Sequence, residues 1–411
     1  MSKRNENRPG YKKTKVGWIP EEWTPVKLGN CFKLASGETK PSIISEYPNN
    51  NENVPVYGGN GILGYTSQVF DDCKCIIIGR VGEKCGCVHL VKGPHFITDN
   101  ALYTKAWLID VSIEYFAYFF DYFKLSRLRN KGGQPLVSQK PIYAVTIPLP
   151  PLPEQKKTAE ILSAWDRAIE QVGKLIGAKE RLKKGLIQQL LTGRMRFPEF
   201  GSANKRVKTH FYDFPLDWKH PRILEVACEV SEKNTERIDY PVLSCSKYDG
   251  FVNSLEYFGK KIYSNDTSNY KVIKQGQFGF PSNHIEEGSI GLLTHVAAGI
   301  VSPIYTIFET NSEKVFAPYL YVLFKTDTYQ HIFRVNTNSS VDRRGSLRWN
   351  EFSKIRVPLP SLAEQIRIAA VLSACDREIE LLKKKQEKLK EQKKGLMQKL
   401  LTGEVRVKIW G

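Results

Sequence analysis

The sequence predicts an α+β protein. Two mixed α/β domains are separated by two long antiparallel helices forming a coiled coil, with a pseudo-twofold internal repeat. Three observations carry this prediction. First, residues 149–193 return at a constant offset of 210 with no insertion. Leu149-Pro-Pro-Leu-Pro-Glu-Gln155 becomes Leu359-Pro-Ser-Leu-Ala-Glu-Gln365, and Leu162-Ser-Ala-Trp-Asp-Arg167 becomes Leu372-Ser-Ala-Cys-Asp-Arg377. Lys184-Gly-Leu-Ile-Gln-Gln-Leu-Leu-Thr-Gly193 becomes Lys394-Gly-Leu-Met-Gln-Lys-Leu-Leu-Thr-Gly403. A repeat this long is read before anything else. Second, the region before each copy carries short apolar runs broken by glycine, the pattern of strands and turns. Third, each copy has apolar residues spaced by three and four in one narrow stripe, as in a coiled coil.

The order is therefore domain, helix, linker, domain, helix. Residues 1–17 form a basic N-terminal arm, expected to be disordered. Residues 18–148 are the first domain and 149–193 its helix. Residues 194–211 are a linker, 212–358 the second domain, 359–403 the second helix and 404–411 a tail. Gly17-Trp-Ile-Pro-Glu-Glu-Trp23 opens the first domain and has an echo at Tyr212-Asp-Phe-Pro-Leu-Asp-Trp218.

Within the first domain, Cys75-Ile-Ile-Ile-Gly79 reads as a buried strand. Gly86 to Val91 is another, and Thr98-Asp-Asn-Ala-Leu-Tyr103 leads into a third. Ile113 to Lys131 reads as an aromatic helix. The second domain follows the same plan, with strands expected over Val272–Phe280, Ser289–Thr294 and Ile300–Phe308. Its aromatic helix is expected over Ala317–Arg334. Leu347-Arg348 stands as far before Pro358 as Val137-Ser138 stands before Pro148.

Each repeated stretch predicts one helix of about 38 residues, roughly 57 Å long at 1.5 Å per residue. Pro153 suits the first turn, Glu154 the positive end of the dipole, and Gly193 and Gly403 the stops. The expected seam is Trp165, Val172, Leu175, Leu182 and Leu186 in one helix. In the other it is Cys375, Leu382, Leu389 and Leu396. A lone helix with one apolar stripe needs a partner, and the other copy is the obvious one. The chain runs out along the first helix, folds the second domain and returns, so the pair is antiparallel.

The net charge is +18, concentrated in the arm, linker and helices; the domains are close to neutral overall. Inside them it is polarised. Lys124 to Lys140 holds five basic residues and no acid; Lys314 to Arg356 holds eight basic and three acidic. Such local basic faces point to a polyanion. No apolar run is long enough to span a membrane. The polar N-terminus lacks a signal-peptide run, so the cytoplasm is expected, with the eight cysteines as thiols.

No catalytic signature survives. There is no glycine-rich adenosylmethionine loop, no Asn-Pro-Pro-Tyr and no phosphate loop. Glu154-Gln155-Lys156 imitates the end of a nuclease motif but opens a helix. Cys73-Lys-Cys75, Cys85-Gly-Cys87, His89 and His95 have the wrong spacing for a zinc site and suit buried thiols better. No catalytic residue, metal or cofactor is expected. The candidate DNA contacts in the first half are Arg80, Arg127, Arg129, Lys131, Gln134, Ser138 and Gln139. In the second half they are Asn338, Arg343, Arg344 and Arg348. Arginine suits guanine edges, glutamine and asparagine suit adenine, and lysine mostly phosphates.

At these residues the chain resembles the specificity subunits of type I restriction-modification systems. The duplicated proline-then-helix element carries the resemblance, from Ile147 to Gln155 with Lys184 to Gly193, and in the copies Val357 to Gln365 and Lys394 to Gly403. Gly79-Arg-Val-Gly82 with Thr98-Asp-Asn-Ala-Leu102 is similar to a target-recognition domain of that family; the second domain has no clear counterpart of the latter motif. The resemblance implies two target-recognition domains, each reading half of a bipartite asymmetric site on double-stranded DNA. It implies helices that act as spacer and as dock for two methyltransferase subunits, which carry the adenosylmethionine chemistry, and restriction (motor-nuclease) subunits in a larger complex. The chain itself would be a non-catalytic DNA-recognition subunit. A stand-alone transcriptional regulator is the alternative, and would need a sensor segment that is not visible.

Overall fold

The structure is a computed structural model that describes residues 5–130, 132–202, 204–337 and 346–408. Lys131, Asn338, Arg343 and Arg344 lie outside the described residues. The chain forms two compact units, one made of Met1–Leu175 with Leu382–Gly411, the other of Ile176–Leu381. The division falls inside the two long helices, Leu152–Leu190 and Leu362–Leu401.

In the first unit a four-stranded antiparallel sheet runs in the order Phe32–Ser36, Ala101–Trp107, Cys75–Gly79, Val88–Val91. Alternate residues of Cys75–Gly79 serve two cores. Ile76 and Ile78 face the helix Ile113–Phe123, whose Tyr115, Phe116, Phe119 and Phe120 are buried with them. Cys75 and Ile77 face the other way, toward Ile97 and Tyr57. A strand covered on both faces reads as an unbroken apolar run, which is why it was legible.

In the second unit the sheet repeats the order: Ala227–Val230, Tyr305–Thr310, Phe278–Pro281, Gly291–Leu292. One face packs on the helices Ala317–Phe324 and Asp327–Asn336. The other packs on the hairpin Leu243–Ser246 with Gly250–Asn253, through Leu243, Phe251, Ile273 and Ile307.

Several expected elements are broken by turns. The helix expected over 113–131 stops at Phe123, where Lys124 turns left-handed at φ 60° and a short 3-10 turn follows. The helix expected over 317–334 is two, because Thr326 turns its hydroxyl to the Tyr329 N–H and caps a second helix. Val272–Phe280 is two strands around Gly276 (φ 86°), and Ile300–Phe308 is two strands around Ser302-Pro303-Ile304.

The N-terminal arm, expected to be disordered, is a structured hairpin from Tyr11. Tyr11–Thr14 pairs with Gly17–Pro20. Asn5, Arg8 and Tyr11 donate to the carbonyls of Thr402, Glu404 and Gly403 at 3.1, 2.7 and 2.6 Å. The linker does the same for the second unit. Arg206–Lys208 pairs with Asp213–Pro215, and Arg206 donates to the Thr192 and Gly193 carbonyls at 2.8 and 3.2 Å. The acceptors are carbonyls of the turn just past each helix end, outside the helical ladder, and side chains in or just before each hairpin supply their donors. Both stop glycines have positive φ and press on the echo motif. A Cβ on Gly193 would lie 2.5 Å from Pro215, and one on Gly403 2.7 Å from Pro20.

Each unit holds half of the helix pair, antiparallel in both. In the first, Lys393 meets Asp166 at 2.5 Å and Gln386 donates to the Ile169 carbonyl at 3.2 Å. In the second, Lys183 meets Asp376 and Lys179 meets Glu378 at 2.8 Å. Lys183 and Asp376 stand 210 residues from Lys393 and Asp166, with the helices exchanged.

The buried row differs from the expected seam. Leu175 and Leu182 are 43% and 52% exposed. Trp165, Val172, Leu186, Cys375, Leu382, Leu389 and Leu396 are half-buried. In the inner row the buried positions are Leu162, Ile176 and Leu190, with half-buried Ile169 and Lys183 between them, matched by Leu372, Ile379 and Leu400 with half-buried Gln386 and Lys393 between them. On both helices these inner positions step by seven, as in a coiled coil. Lysine and glutamine in the true row hide it from an apolar reading. The lysines lay their stems along the seam while their ammonium groups reach an aspartate on the opposing helix.

Candidate nucleic-acid interface

In the first unit the strand Cys75–Gly79 delivers Arg80 to a point where several loops meet. The Arg80 N–H donates to the Asn100 carbonyl at 3.0 Å, and its own carbonyl accepts from the Val137 N–H at 2.9 Å. Gly82 N–H donates to the Pro135 carbonyl at 3.0 Å. The guanidinium donates through Nη1 to Ser36 Oγ at 3.2 Å. From the other side the hairpin Val54–Gly58 with Gly61–Thr66 brings its tip onto the loop. A Cβ on Gly59 would lie 2.5 Å from the Val81 carbonyl, and one on Gly79 2.1 Å from the Gly59 carbonyl. Only glycine allows that approach.

This geometry brings Arg80 beside Ser138 and places Gln134 next to the Gly82 partner Pro135. Ser138 and Gln139 start the short helix Gln139–Ala144. Arg127 lies apart on the 3-10 turn, its guanidinium 4.9 Å over the Phe123 ring, and Arg129 follows it, exposed.

The second unit repeats the frame with other side chains. Ser282 N–H donates to the Ile304 carbonyl at 3.4 Å, and the Ser282 carbonyl accepts from Leu347 N–H at 2.8 Å. Ser282 therefore stands where Arg80 stands, and Leu347-Arg348 where Val137-Ser138 stands. The Thr98 turn also has its counterpart: Ala101 N–H donates to the Thr98 carbonyl at 3.0 Å, and Tyr305 N–H to the Ser302 carbonyl at 3.0 Å. The backbone repeats where the Thr-Asp-Asn-Ala letters do not.

Here the loops leave a cleft of about 400 Å³ lined by Glu229, Lys271, Ser282, Tyr305, Arg348 and Asn350 among others. Lys271 donates from Nζ to the Tyr305 carbonyl at 2.5 Å, and burial holds its ammonium below its usual range. Glu229, Lys271, Ser282 and Asn350 are site residues that sequence reading missed. The spacing that matches Val137 with Leu347 matches Asn350 with Lys140, a residue of the first domain's basic cluster. Nothing in the letters around Ser282 marks it as the partner of Arg80.

The Glu-Gln pair that opens each long helix is a structural staple. Glu154 is buried; it accepts from Arg406 Nε and Nη2, both at 2.8 Å, and from Trp23 Nε1 at 3.0 Å. Gln155 ties the Ser112 N–H to the Pro150 carbonyl. Glu364 and Gln365 repeat this with Arg196, the Phe316 N–H and the Pro360 carbonyl.

Among the described residues, the group of acidic, cysteine and histidine side chains close enough to share an ion is Asp71, Asp72 and Cys73, largely exposed. Cys75 Sγ instead lies 3.5 Å from His95 Nε2, and Cys87 Sγ donates to the Gly59 carbonyl at 3.3 Å. Burial pushes the Cys75 thiol up to about 12, so it stays protonated. Among the described residues no helix is long and apolar enough to cross a membrane.

Two loop clusters of different side-chain content, set on one repeated frame with paired helices, are the architecture of a recognition protein. The model for the type I restriction modification DNA specificity domain matches residues 20–180 and 215–391, and the chain belongs to that family, with the domain present twice. Two relatives come from Methanocaldococcus jannaschii. The type I restriction enzyme MjaVIII specificity subunit is 27% identical, over 95% of this chain and 94% of that one. The putative type I restriction enzyme MjaX specificity subunit is 26% identical, over 97% of both. The crystal structure of a type I restriction-modification system S subunit from M. genitalium shares the fold, with a TM-score of 0.61 at 16% identity, covering 98% of this chain and 99% of that one.

Proposed function

We propose that this chain is the DNA-recognition subunit of a type I restriction-modification complex and performs no chemistry itself. The observation that carries the reading is the paired set of backbone bonds at Arg80 and Ser282. Identical frames present a forked arginine in one unit and a cleft with Lys271, Glu229 and Arg348 in the other. A protein that reads two unlike half-sites needs this arrangement. The frame fixes where the backbone meets the duplex and the side chains choose the bases. Residues 18–148 and 212–358 are the two target-recognition domains in this reading. Arg127, Arg129, Lys131, Gln134, Gln139, Asn338, Arg343 and Arg344 supply further phosphate or base contacts.

The long helices set the separation between half-sites and dock two methyltransferase subunits, with restriction subunits joining the larger complex. The repeat supports this: the matching helix ends 210 residues apart offer like partners like footholds.

Mapping methylated adenines in the host genome, with and without this gene, tests the proposal. The expected result is a split motif with unlike halves that vanishes with the gene. Absence of any such motif overturns it. Lengthening both helices together by whole turns should widen the gap between the halves and leave the halves themselves unchanged.

A further inference from the structure

The hairpin tips of the two units are built for opposite purposes. In the first unit the tip is Gly58-Gly59-Asn60-Gly61, pressed flat on the Arg80 loop. In the second unit the tip is Lys247-Tyr248-Asp249, and Tyr248 is 81% exposed, the most exposed large hydrophobic residue among those described. An exposed tyrosine ring offers a large, flat, mostly apolar contact face with a polar handle at its tip.

The tip is also held in place. Lys325, at the end of the helix Ala317–Phe324, donates from Nζ to the Lys247 carbonyl at 2.9 Å and to the Gly288 carbonyl at 2.8 Å. Burial holds its ammonium below its usual range, so the lysine is spent on two carbonyls inside the protein. Ser246 Oγ accepts from the N–H groups of Tyr248 and Asp249 at 3.2 Å and bonds Asp249 Oδ2 at 3.1 Å. Gly250 (φ 68°) closes the turn against the Tyr321 hydroxyl, where a Cβ would lie 3.0 Å away. The tip is thus ordered by four separate fixings, yet the side chain it presents touches little of the chain. The Lys247 ammonium lies 5.5 Å over the Tyr248 ring.

The tip stands at the recognition end of its sheet. Gly288 ends the loop that begins at Ser282, the residue that takes the place of Arg80. The Tyr305 hydroxyl, from the strand that lines the cleft, accepts from the Cys245 N–H at 2.9 Å, one residue pair from the tip of the same hairpin.

Resting on the proposed function, we infer that Tyr248 is a specificity-determining residue of the second half-site: its ring enters a groove against a base pair of duplex DNA, with Lys247 at the adjoining phosphate. Lys325 is a positioning residue that fixes the tip before DNA arrives. A rigid aromatic probe loses little entropy on binding and offers a flat apolar face to a base edge or a thymine methyl. The first unit's hairpin tip, Gly58-Gly59-Asn60-Gly61, carries no aromatic ring, so its reading falls to Arg80 and its neighbours. The two halves therefore differ in which element reads, as well as in which letters.

The test is selection from a randomised duplex pool by the full chain together with the subunits that co-purify with it, comparing wild type, Tyr248→Ala, Tyr248→Phe and Lys247→Ala. Tyr248→Ala should lose about tenfold discrimination at one or two adjacent base pairs in one half-site and leave the other half-site intact. Tyr248→Phe should keep the wild-type preference, because the ring does the reading. Lys247→Ala should weaken all sequences alike and lower the salt slope by about one. A Tyr248→Ala motif identical to wild type overturns this inference and leaves the proposed function standing. A wild-type chain that selects no split motif overturns both. Lys325→Met, measured for the same motif and for hydrogen exchange at residues 246–250, should loosen the tip and blur the same base pairs; unchanged exchange there overturns the positioning role.

Discussion

Arg196 grips Glu364 with two parallel hydrogen bonds, Nε to Oε1 at 2.8 Å and Nη2 to Oε2 at 2.7 Å, and Arg406 grips Glu154 in the same way. Each pair ties the segment after one long helix to the first turn of the other. The two are copies 210 residues apart with the helices exchanged. They differ in exposure: the Arg196 side chain is 4% exposed, the Arg406 side chain 33%.

That difference makes a prediction. Arg196→Met leaves Glu364 buried without its partner and should cost about 3–5 kcal/mol. Arg406→Met should cost less, because solvent already screens its guanidinium. Denaturant unfolding, followed separately in the two units by hydrogen exchange, checks both. Equal and small losses would mean the staples do not hold the helix ends.

The helix pair offers a second test. Leu162 and Leu372 are fully buried, so alanine at either should cost about 2–5 kcal/mol. Alanine at Leu175 or Leu182, exposed in this structure, should change stability by no more than about 0.5 kcal/mol. Unfolding midpoints decide between the two rows. Large losses at Leu175 and Leu182 would restore the seam expected from apolar spacing.

A third prediction concerns pH. His220 Nε2 lies 2.9 Å from the Tyr212 hydroxyl, and burial followed by the neighbouring Arg356 holds its imidazole below the usual range. Half-buried His89 is shifted in the same direction by its partial burial. A depressed histidine means the unfolded chain binds the proton first. Stability is then complete above the ordinary histidine range and falls as pH drops through it toward the folded value. The second unit should weaken as pH falls below about 7, and His220→Gln should remove that slope. A slope that survives the substitution would place its origin elsewhere.

The loop clusters give the fourth. Arg80→Ala should relax discrimination in one half-site by about 1–3 kcal/mol, and Arg348→Ala in the other. Duplex selection with each variant reads this directly. Both variants altering the same half would contradict the matching of Arg80 with Ser282 and of Ser138 with Arg348.

Several features were legible because they repeat or because their chemistry is local. The helices, their stops at Gly193 and Gly403, and the buried strand Cys75–Gly79 follow from periodicity and from glycine. The breaks within elements were harder to see. Thr326 divides a helix only because its hydroxyl meets an N–H three residues on, and the arm is ordered because carbonyls just past the helix end, at Thr402 and Gly403, accept from Asn5 and Tyr11.

The sequence by itself determined the repeat, the α+β class, the two long helices and the basic segments ahead of them, because each is written in neighbours along the chain. Tertiary structure alone decided which row of each helix lies inside, that Glu154 belongs to Arg406, and that Ser282 stands where Arg80 stands. Those relations join residues far apart in the chain through burial and backbone hydrogen bonds. A lysine on an inner row or a serine at a strand end carries no local mark of the partner it will meet.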